Sequence, residues 1–225
     1  MGKNTIIECK TTIGSFQIEL YDDQMPLTVG NILDLIKNHK YYDGLYIHRI
    51  VPGYCIQFGC PYAKNPYLSF TEEGYMRGLQ LGQLQGELDE DGNPEEGYEP
   101  GNGSGPPDTT FVATNGKEYT RDEYGCIEDE FLKTAKISNL KYTVAMANSS
   151  PEQDTGGSQF FINLSDDNDK KLDWFNVGSD SAHPVFGQIV DVKESRDFID
   201  TLEQVELHAE QPVEPIQMIS VTIVE

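Results

Sequence analysis

The sequence predicts a mainly β fold: a closed eight-stranded antiparallel barrel with an α-helix over each open end. Three observations carry that expectation. Short apolar-alternating runs bounded by turn residues recur along the chain, about eight in all. Only two stretches show the i, i+3, i+4, i+7 apolar spacing of a helix, one early and one late. The hydrophobic fraction, 37% of 225 residues with ten Phe, twelve Tyr and one Trp, suffices for the core of one domain of that size.

The elements follow in order. "TIIECKTTIGSFQIELY" reads as a hairpin, with Ile7 and Cys9 alternating on one arm and Phe16, Ile18 and Leu20 on the other. Pro26 opens a helix where its missing N–H does no harm, and Val29, Ile32, Leu33 and Ile36 form its apolar stripe. "YIHRIVPGYCIQFGCP" reads as strand, Pro52-Gly53 turn, strand. Short strand material in "TTFVATNGKEYTRDEYG" is followed by clear strands in "KYTVAMANSS", "GGSQFFINL" and "HPVFGQIV". "SRDFIDTLEQV" is a helix with Ser195 as its expected N-cap and Phe198, Ile199, Leu202 and Val205 facing inward. "PIQMISVTIVE" closes the chain as a strand.

One region breaks the pattern. Between Thr71 and Gly101 the chain carries nine acidic residues and one basic, and no β-branched residue follows Thr71. We read about 61–101 as a surface insertion in a single domain spanning 1–225, partly helical near Met76–Leu84.

Charge and composition exclude several functions. With 16 basic and 38 acidic residues the net charge is −22, which repels nucleic acid and anionic membranes. Cys9, Cys55, Cys60 and Cys126 form no Cys-x-x-Cys pair and match no common zinc spacing, so reduced, half-buried thiols are expected. Cys55 stands out for its neighbours. The N-terminus has no apolar leader and no apolar run approaches a membrane span; a cytoplasmic protein is expected, with the nucleus left open, and a monomer.

Three separated stretches place polar groups beside aromatic ones: Arg49, Tyr54 and Gln57 in the first, Ala147 and Asn148 at a strand end in the second, Gln159 and Phe161 on one strand face in the third. His183 begins a further strand. Together they can line an apolar groove with a few fixed hydrogen-bonding groups, the usual makeup of a ligand site. Taken singly, Arg49 also suits a structural ion pair, Tyr54 and Phe161 plain core, and Gln57 and Gln159 loop backbone. His48 reads as a scaffold histidine. No Ser-His-Asp arrangement or paired carboxylate is apparent.

The stretches "IHRIVPGYCIQFG", "NGSGPPDTTF", "IEDEF", "TVAMANSS", "TGGSQFFINL" and "HPVFGQIV" resemble, in the same order, those of the cyclophilins, a family of peptidyl-prolyl cis-trans isomerases. The resemblance implies a cyclophilin-like barrel with two capping helices, a proline-binding groove on its outside and no cofactor or metal. It implies that Arg49 is the catalytic arginine, with Gln57 beside it. Tyr54 stands at an aromatic position of the proline pocket, Phe161 at its floor, and Leu172 and His183 at its far wall. Ala147, Asn148 and Gln159 match residues that hold substrate. Cys55 stands where Met is usual and leaves the pocket smaller; Phe58 stands where Gly is usual. Lys171 replaces a Trp associated with cyclosporin binding, so weak cyclosporin binding is expected.

The implied partners are proline-containing peptides and proteins, joined by basic proteins if the acidic insertion recruits them. The alternative is a proline-peptide binding module or assembly factor whose catalysis is incidental. Replacing residues 67–101 with a short Gly-Ser linker is expected to leave both melting temperature and isomerisation of a short X-Pro peptide unchanged, because loop closure costs only about 0.6 kcal/mol per doubling of length. A collapse of either measurement would mean that the segment packs on the barrel or lines the groove.

Overall fold

The computed structural model describes residues 2–61, 63–64, 104–208 and 210–224. Apart from Pro61, Ala63 and Lys64, the 61–101 insertion and its expected helix near Met76–Leu84 lie outside the described residues.

The chain begins with β1 (Ile6–Thr11), β2 (Gly14–Leu20) and α1 (Pro26–Lys37), then β3 (Arg49–Val51) and β4 (Cys55–Phe58). A small hairpin, β5 (Thr110–Val112) and β6 (Glu118–Thr120), follows, then β7 (Thr143–Met146) and β8 (Phe160–Asn163). A 3-10 turn at Asp166–Asn168 leads into the short α2 (Asp169–Leu172). The last part holds β9 (Val185–Ile189), α3 (Lys193–Leu202), a second small hairpin of β10 (Leu207–His208) and β11 (Gln211–Pro212), and β12 (Met218–Ile223).

Eight strands form one antiparallel sheet in the order β12-β1-β2-β9-β7-β8-β4-β3. Its two ends meet. Tyr46, just before β3, bridges to Gln217, just before β12, and the Ile47 N–H donates to the Ile216 carbonyl at 3.0 Å. The Met218 N–H donates to the Leu45 carbonyl at 2.7 Å on the other side. Tyr46 and Ile47, read from the sequence as strand, are thus the closure of the barrel. The β5–β6 material forms its own two-stranded sheet outside this one.

Alternation places one set of side chains inside. Ile7, Phe16, Ile18, Leu20, Ile50, Ile56, Phe58, Val144, Phe160, Ile162 and Phe186 are all buried in one continuous core. Phe58, Phe160 and Phe186 meet edge to face, with centroids 4.2 Å apart for Phe58–Phe160 and 5.9 Å for Phe160–Phe186. From α1, Val29, Ile32, Leu35 and Ile36 enter the same core; Leu33 is only partly buried at its edge.

The late helix corrects the sequence reading. It starts at Lys193 after Val192, with no side-chain cap, and ends at Leu202, so Val205 lies beyond it although still packed against the core. Ser195 is inside the first turn, where its hydroxyl accepts the Gln17 N–H of β2 at 3.1 Å. A tertiary partner outcompeted the local cap. Phe198 stacks on Phe16 at 5.9 Å, and Ile199 and Leu202 are fully buried.

The start of α1 is held from a distance. Pro26 has no N–H; the N–H groups of Leu27 and Thr28 donate to the two oxygens of the Glu130 carboxylate at 3.0 and 2.8 Å. That carboxylate is buried and sits where the helix dipole favours an anion. Gly30 on the next turn lets Ala113 approach so closely that a Cβ there would lie 2.5 Å from the Ala113 Cα. Glu130→Ala leaves two buried donors without acceptors. It is expected to lower unfolding free energy by about 2–3 kcal/mol and the melting temperature by roughly 5–10 °C. Glu130→Gln, which keeps one acceptor, should fall between; calorimetry on the three proteins checks the order.

Candidate functional site

The outer face of the sheet carries one row of cross-strand partners. Arg49 pairs with Gln57, Gln57 with Phe161, Phe161 with Ala145, and Ala145 with Val185. The row crosses β3, β4, β8, β7 and β9. The neighbouring row, Ile50, Ile56, Ile162 and Val144, faces the core. Burial of the inner row therefore fixes which residues the outer row presents.

The apolar half of the site is a second, smaller cluster of Cys55, Ala145, Phe161, Leu172 and Val185, with Tyr54 and Ala147 packed at its edge. Tyr54 follows the Pro52-Gly53 turn. Its carbonyl accepts from the Leu164 N–H at 2.9 Å and the Asn168 amide at 2.8 Å. Leu172 arrives at the end of α2, and its carbonyl accepts the His183 N–H at 3.0 Å. His183 stands edge-on to Phe161, centroids 5.2 Å apart, and its Nδ1 lies 2.9 Å from the Met146 carbonyl. A carbonyl can only accept, so Nδ1 carries the proton.

The polar half begins at Arg49. Its Nη1 donates to Gln57 Oε1 at 3.3 Å and lies 3.5 Å from Cys55 Sγ, and its guanidinium carbon sits 5.9 Å from the Tyr54 ring centroid. Gln57 Nε2 donates to Gln159 Oε1 at 3.1 Å, and Gln159 shares a hydrogen bond with His48. Gln57, Gln159, Ala147 and Asn148 line a cleft of about 350 Å³ whose far side includes Asp122, Tyr124 and Thr155. The Asn148 side chain donates to the Ala182 carbonyl at 2.8 Å and accepts the Ser150 N–H at 3.3 Å. Among the described residues no hydrogen bond engages its backbone. All ten residues singled out from the sequence thus lie on one outer face and its rim.

Sequence reasoning missed two contributors, the Glu210 carboxylate and a buried polar network around Asp173. Glu210, just before β11, places Oε2 2.8 Å from Arg49 Nε. Asp173 accepts the Asn139 N–H and side-chain amide at 2.8 and 3.0 Å. That asparagine also bonds the His183 carbonyl at 3.1 Å, and Asn163 links it to Asn168 under Tyr54. This buried network pins the pocket's far wall. Only the side-chain identities, scattered over the chain, hint at it; no spacing rule picks them out. Trp174 lies apart from the apolar cluster. It packs on Phe131 at 5.3 Å and lines a separate recess of about 230 Å³, of which Asn148 is also a wall. Lys171 is exposed.

The site holds little titratable chemistry. Burial pushes the Cys55 thiol up to about 12, against the lowering effect of Arg49, so it is no thiolate at neutral pH. Burial, helped by the Arg49 charge and opposed by the Gln159 hydrogen bond, lowers His48 to about 3. His183 is lowered by burial against its bond to Met146. All four cysteines are free and buried, and among the described residues no group of three His, Cys, Asp or Glu could hold a metal. Among them, too, no helix is long and apolar enough to cross a membrane.

His48 supplies a pH test. Its folded-state value lies below its unfolded one, so its stabilisation is complete above about pH 6.5 and is lost as pH falls toward 3. About 2 kcal/mol should be gone by pH 5. Urea titrations of wild type and His48→Gln are expected to show a steeper loss between pH 7 and 5 in the wild type; equal slopes would mean that His48 is not held neutral.

Comparison with known proteins gives a consistent answer. The family described as "Cyclophilin type peptidyl-prolyl cis-trans isomerase/CLD" matches residues 6–223. A "Peptidyl-prolyl cis-trans isomerase" of Acinetobacter baylyi is 26% identical over 226 residues, covering 98% of this chain and 86% of its own length. "Peptidyl-prolyl cis-trans isomerase cyp15" of Rhizopus delemar is 27% identical over 99% of this chain, which spans 25% of that longer protein. In fold, the chain is similar to a Cryptosporidium parvum cyclophilin type isomerase solved in the presence of the dipeptide Ala-Pro. The TM-score is 0.59 at 20% identity, covering 98% of this chain and 99% of that one.

Proposed function

The chain belongs to the cyclophilin-type peptidyl-prolyl cis-trans isomerase family and is an isomerase of X–Pro peptide bonds; on that premise we propose that Arg49 is its catalytic group and that the proline ring packs against the apolar cluster of Cys55, Phe161 and Leu172. The observation that carries this is the outer row itself. It puts a guanidinium that is always charged in line with Phe161 of the small apolar cluster, with Gln57 on the strand between them.

The chemistry asks for that arrangement. Rotation about X–Pro is slowed by amide resonance, a barrier of about 18–20 kcal/mol. In the twisted transition state the prolyl nitrogen becomes pyramidal and its lone pair is localised. A donor aimed at that lone pair binds the twisted amide better than the planar one, which is the differential binding that lowers a barrier. A 10⁵-fold acceleration needs only about 7 kcal/mol. No proton moves, so a neutral thiol and neutral histidines are no handicap. Gln57 holds one guanidinium nitrogen. Tyr54, Phe161, Leu172 and His183 enclose the ring, where low polarity strengthens the charge–dipole interaction. Asn148 offers an unengaged backbone at the end of β7 for the extended peptide, with Ala147 and Gln159 beside it. Proline-containing peptides fit as substrates, as the Ala-Pro dipeptide accompanying the C. parvum relative supports. The exposed Lys171 and the displaced Trp174 support weak cyclosporin binding as part of the same reading.

In a protease-coupled assay on a short X–Pro peptide, Arg49→Ala is expected to lower kcat/KM by about 10²–10³-fold. Arg49→Lys should restore little, because an ammonium lacks the planar fork. The melting temperature should move little, because Arg49 and its carboxylate partner are both substantially exposed. Near-wild-type turnover by folded Arg49→Ala would overturn the assignment.

A further inference from the structure

The geometry points to Glu210 as a positioning residue for Arg49, with the β10–β11 hairpin as the arm that delivers it; this inference rests on the catalytic assignment of Arg49 above. The carboxylate meets Arg49 through Nε, at 2.8 Å, while Nη1 faces Gln57 and Cys55. The guanidinium is therefore gripped at two separated nitrogens by groups from two different elements. A planar fork bonded at two points cannot swing about its long side chain, and its remaining N–H donors keep one direction.

Two backbone features show that Glu210 is held for this contact. Its carbonyl accepts the Ile50 N–H at 2.7 Å, so its main chain is anchored to β3 one residue from its side-chain partner. Its φ is +67°, a conformation that side-chain-bearing residues rarely adopt. The hairpin base is closed by the β10–β11 pairing and by the Val213 N–H donating to the Glu206 carbonyl at 2.8 Å.

A carboxylate beside a catalytic cation has two opposed effects. It orients the fork, and it dilutes the positive charge on which transition-state binding depends. Exposure decides between them. The two side chains are 32% and 51% exposed, so solvent screens the charge neutralisation, whereas the loss of a fixed orientation is not screened. Glu210 engages Nε and Gln57 engages Nη1, so the fork is held at two nitrogens without either partner using Nη2.

The test compares Glu210→Ala, Glu210→Gln, Arg49→Ala and the double Arg49→Ala/Glu210→Ala protein in one X–Pro peptide assay, with thermal melts to confirm folding. Glu210→Ala is expected to lower kcat on the order of tenfold with KM little changed. Glu210→Gln, which keeps an acceptor for Nε, should recover most of that loss. In the Arg49→Ala background, Glu210→Ala should cost nothing further, because the group it positions is gone. Wild-type or faster turnover by Glu210→Ala, failure of Gln to do better than Ala, or an equal loss in the Arg49→Ala background would overturn the positioning role. A collapse of Arg49→Ala with an unaffected Glu210→Ala rejects this inference alone, while an active Arg49→Ala rejects the catalytic assignment beneath it.

Discussion

In an antiparallel sheet each residue has a fixed face and a fixed partner on the next strand, and the site is built on that constraint. Ile50, Ile56, Ile162 and Val144, with Phe58, Phe160 and Met146 at alternate positions on the same strands, lie inside and fill the barrel. Once they do, Arg49, Gln57, Phe161 and Ala145 must lie outside in one row. A one-residue slip between β4 and β8 would send Gln57 into the core and Phe58 into solvent, a change that buried area alone forbids. The precision of the outer row is thus inherited from the packing of the inner one, and Arg49 needs no strained backbone of its own.

The sheet cannot position what arrives from loops, and there buried polar groups take over. Arg121 is fully buried and bonds Asn31 Oδ1, Asp34 Oδ2 and Thr109 Oγ1, each at 2.8 Å, while lying 4.7 Å from the Phe111 ring centroid. It ties the β5–β6 hairpin to α1. Glu130 ties the following loop to the start of the same helix. Asp173, Asn139, Asn163 and Asn168 do the same between α2, β8 and the Tyr54 turn. Each charge in these clusters is matched by several donors or acceptors, the condition under which burying it is tolerable, and losing one partner would strand the rest.

That division explains what could be read from the sequence. Period-two alternation located Phe160 and Ile162 inside and Gln159 and Phe161 on the groove face, and the helical stripe of α1 was clear apart from Leu33. Local rules failed where a distant partner won. Ser195 has the side chain of an N-cap but serves the Gln17 backbone, and α1 is capped by a carboxylate more than a hundred residues away. The odd arginine in an apolar run, Arg49, is about one-third exposed, whereas the deeply buried Arg121 sits in a polar stretch that gave no warning. Its burial depends on Asn31 and Asp34, and no window of local sequence contains both sides of that contact. Glu210 was hidden for the same reason: the β10–β11 hairpin is only two residues per strand, too short for alternation to register.

The electrostatics of the site follow from its depth. Cys55, His48 and His183 sit deep enough that burial holds each in its neutral form at neutral pH. A guanidinium resists the same treatment because its intrinsic pKa is so high, and here burial's pull downward is outweighed by Cys55, Glu210 and Tyr54. A lysine in that place would face the same desolvation with far less reserve and no second nitrogen for Gln57 to hold. The result is a permanent positive charge, paired with the exposed Glu210 carboxylate and otherwise set among groups held neutral, on a stiff strand beside a small apolar cluster. In the role proposed for Arg49 such a site needs no proton transfer, because a planar amide differs from a twisted one in the direction of a single lone pair. On that proposal selectivity lies in orientation, so the contacts that fix the fork add to what its charge supplies.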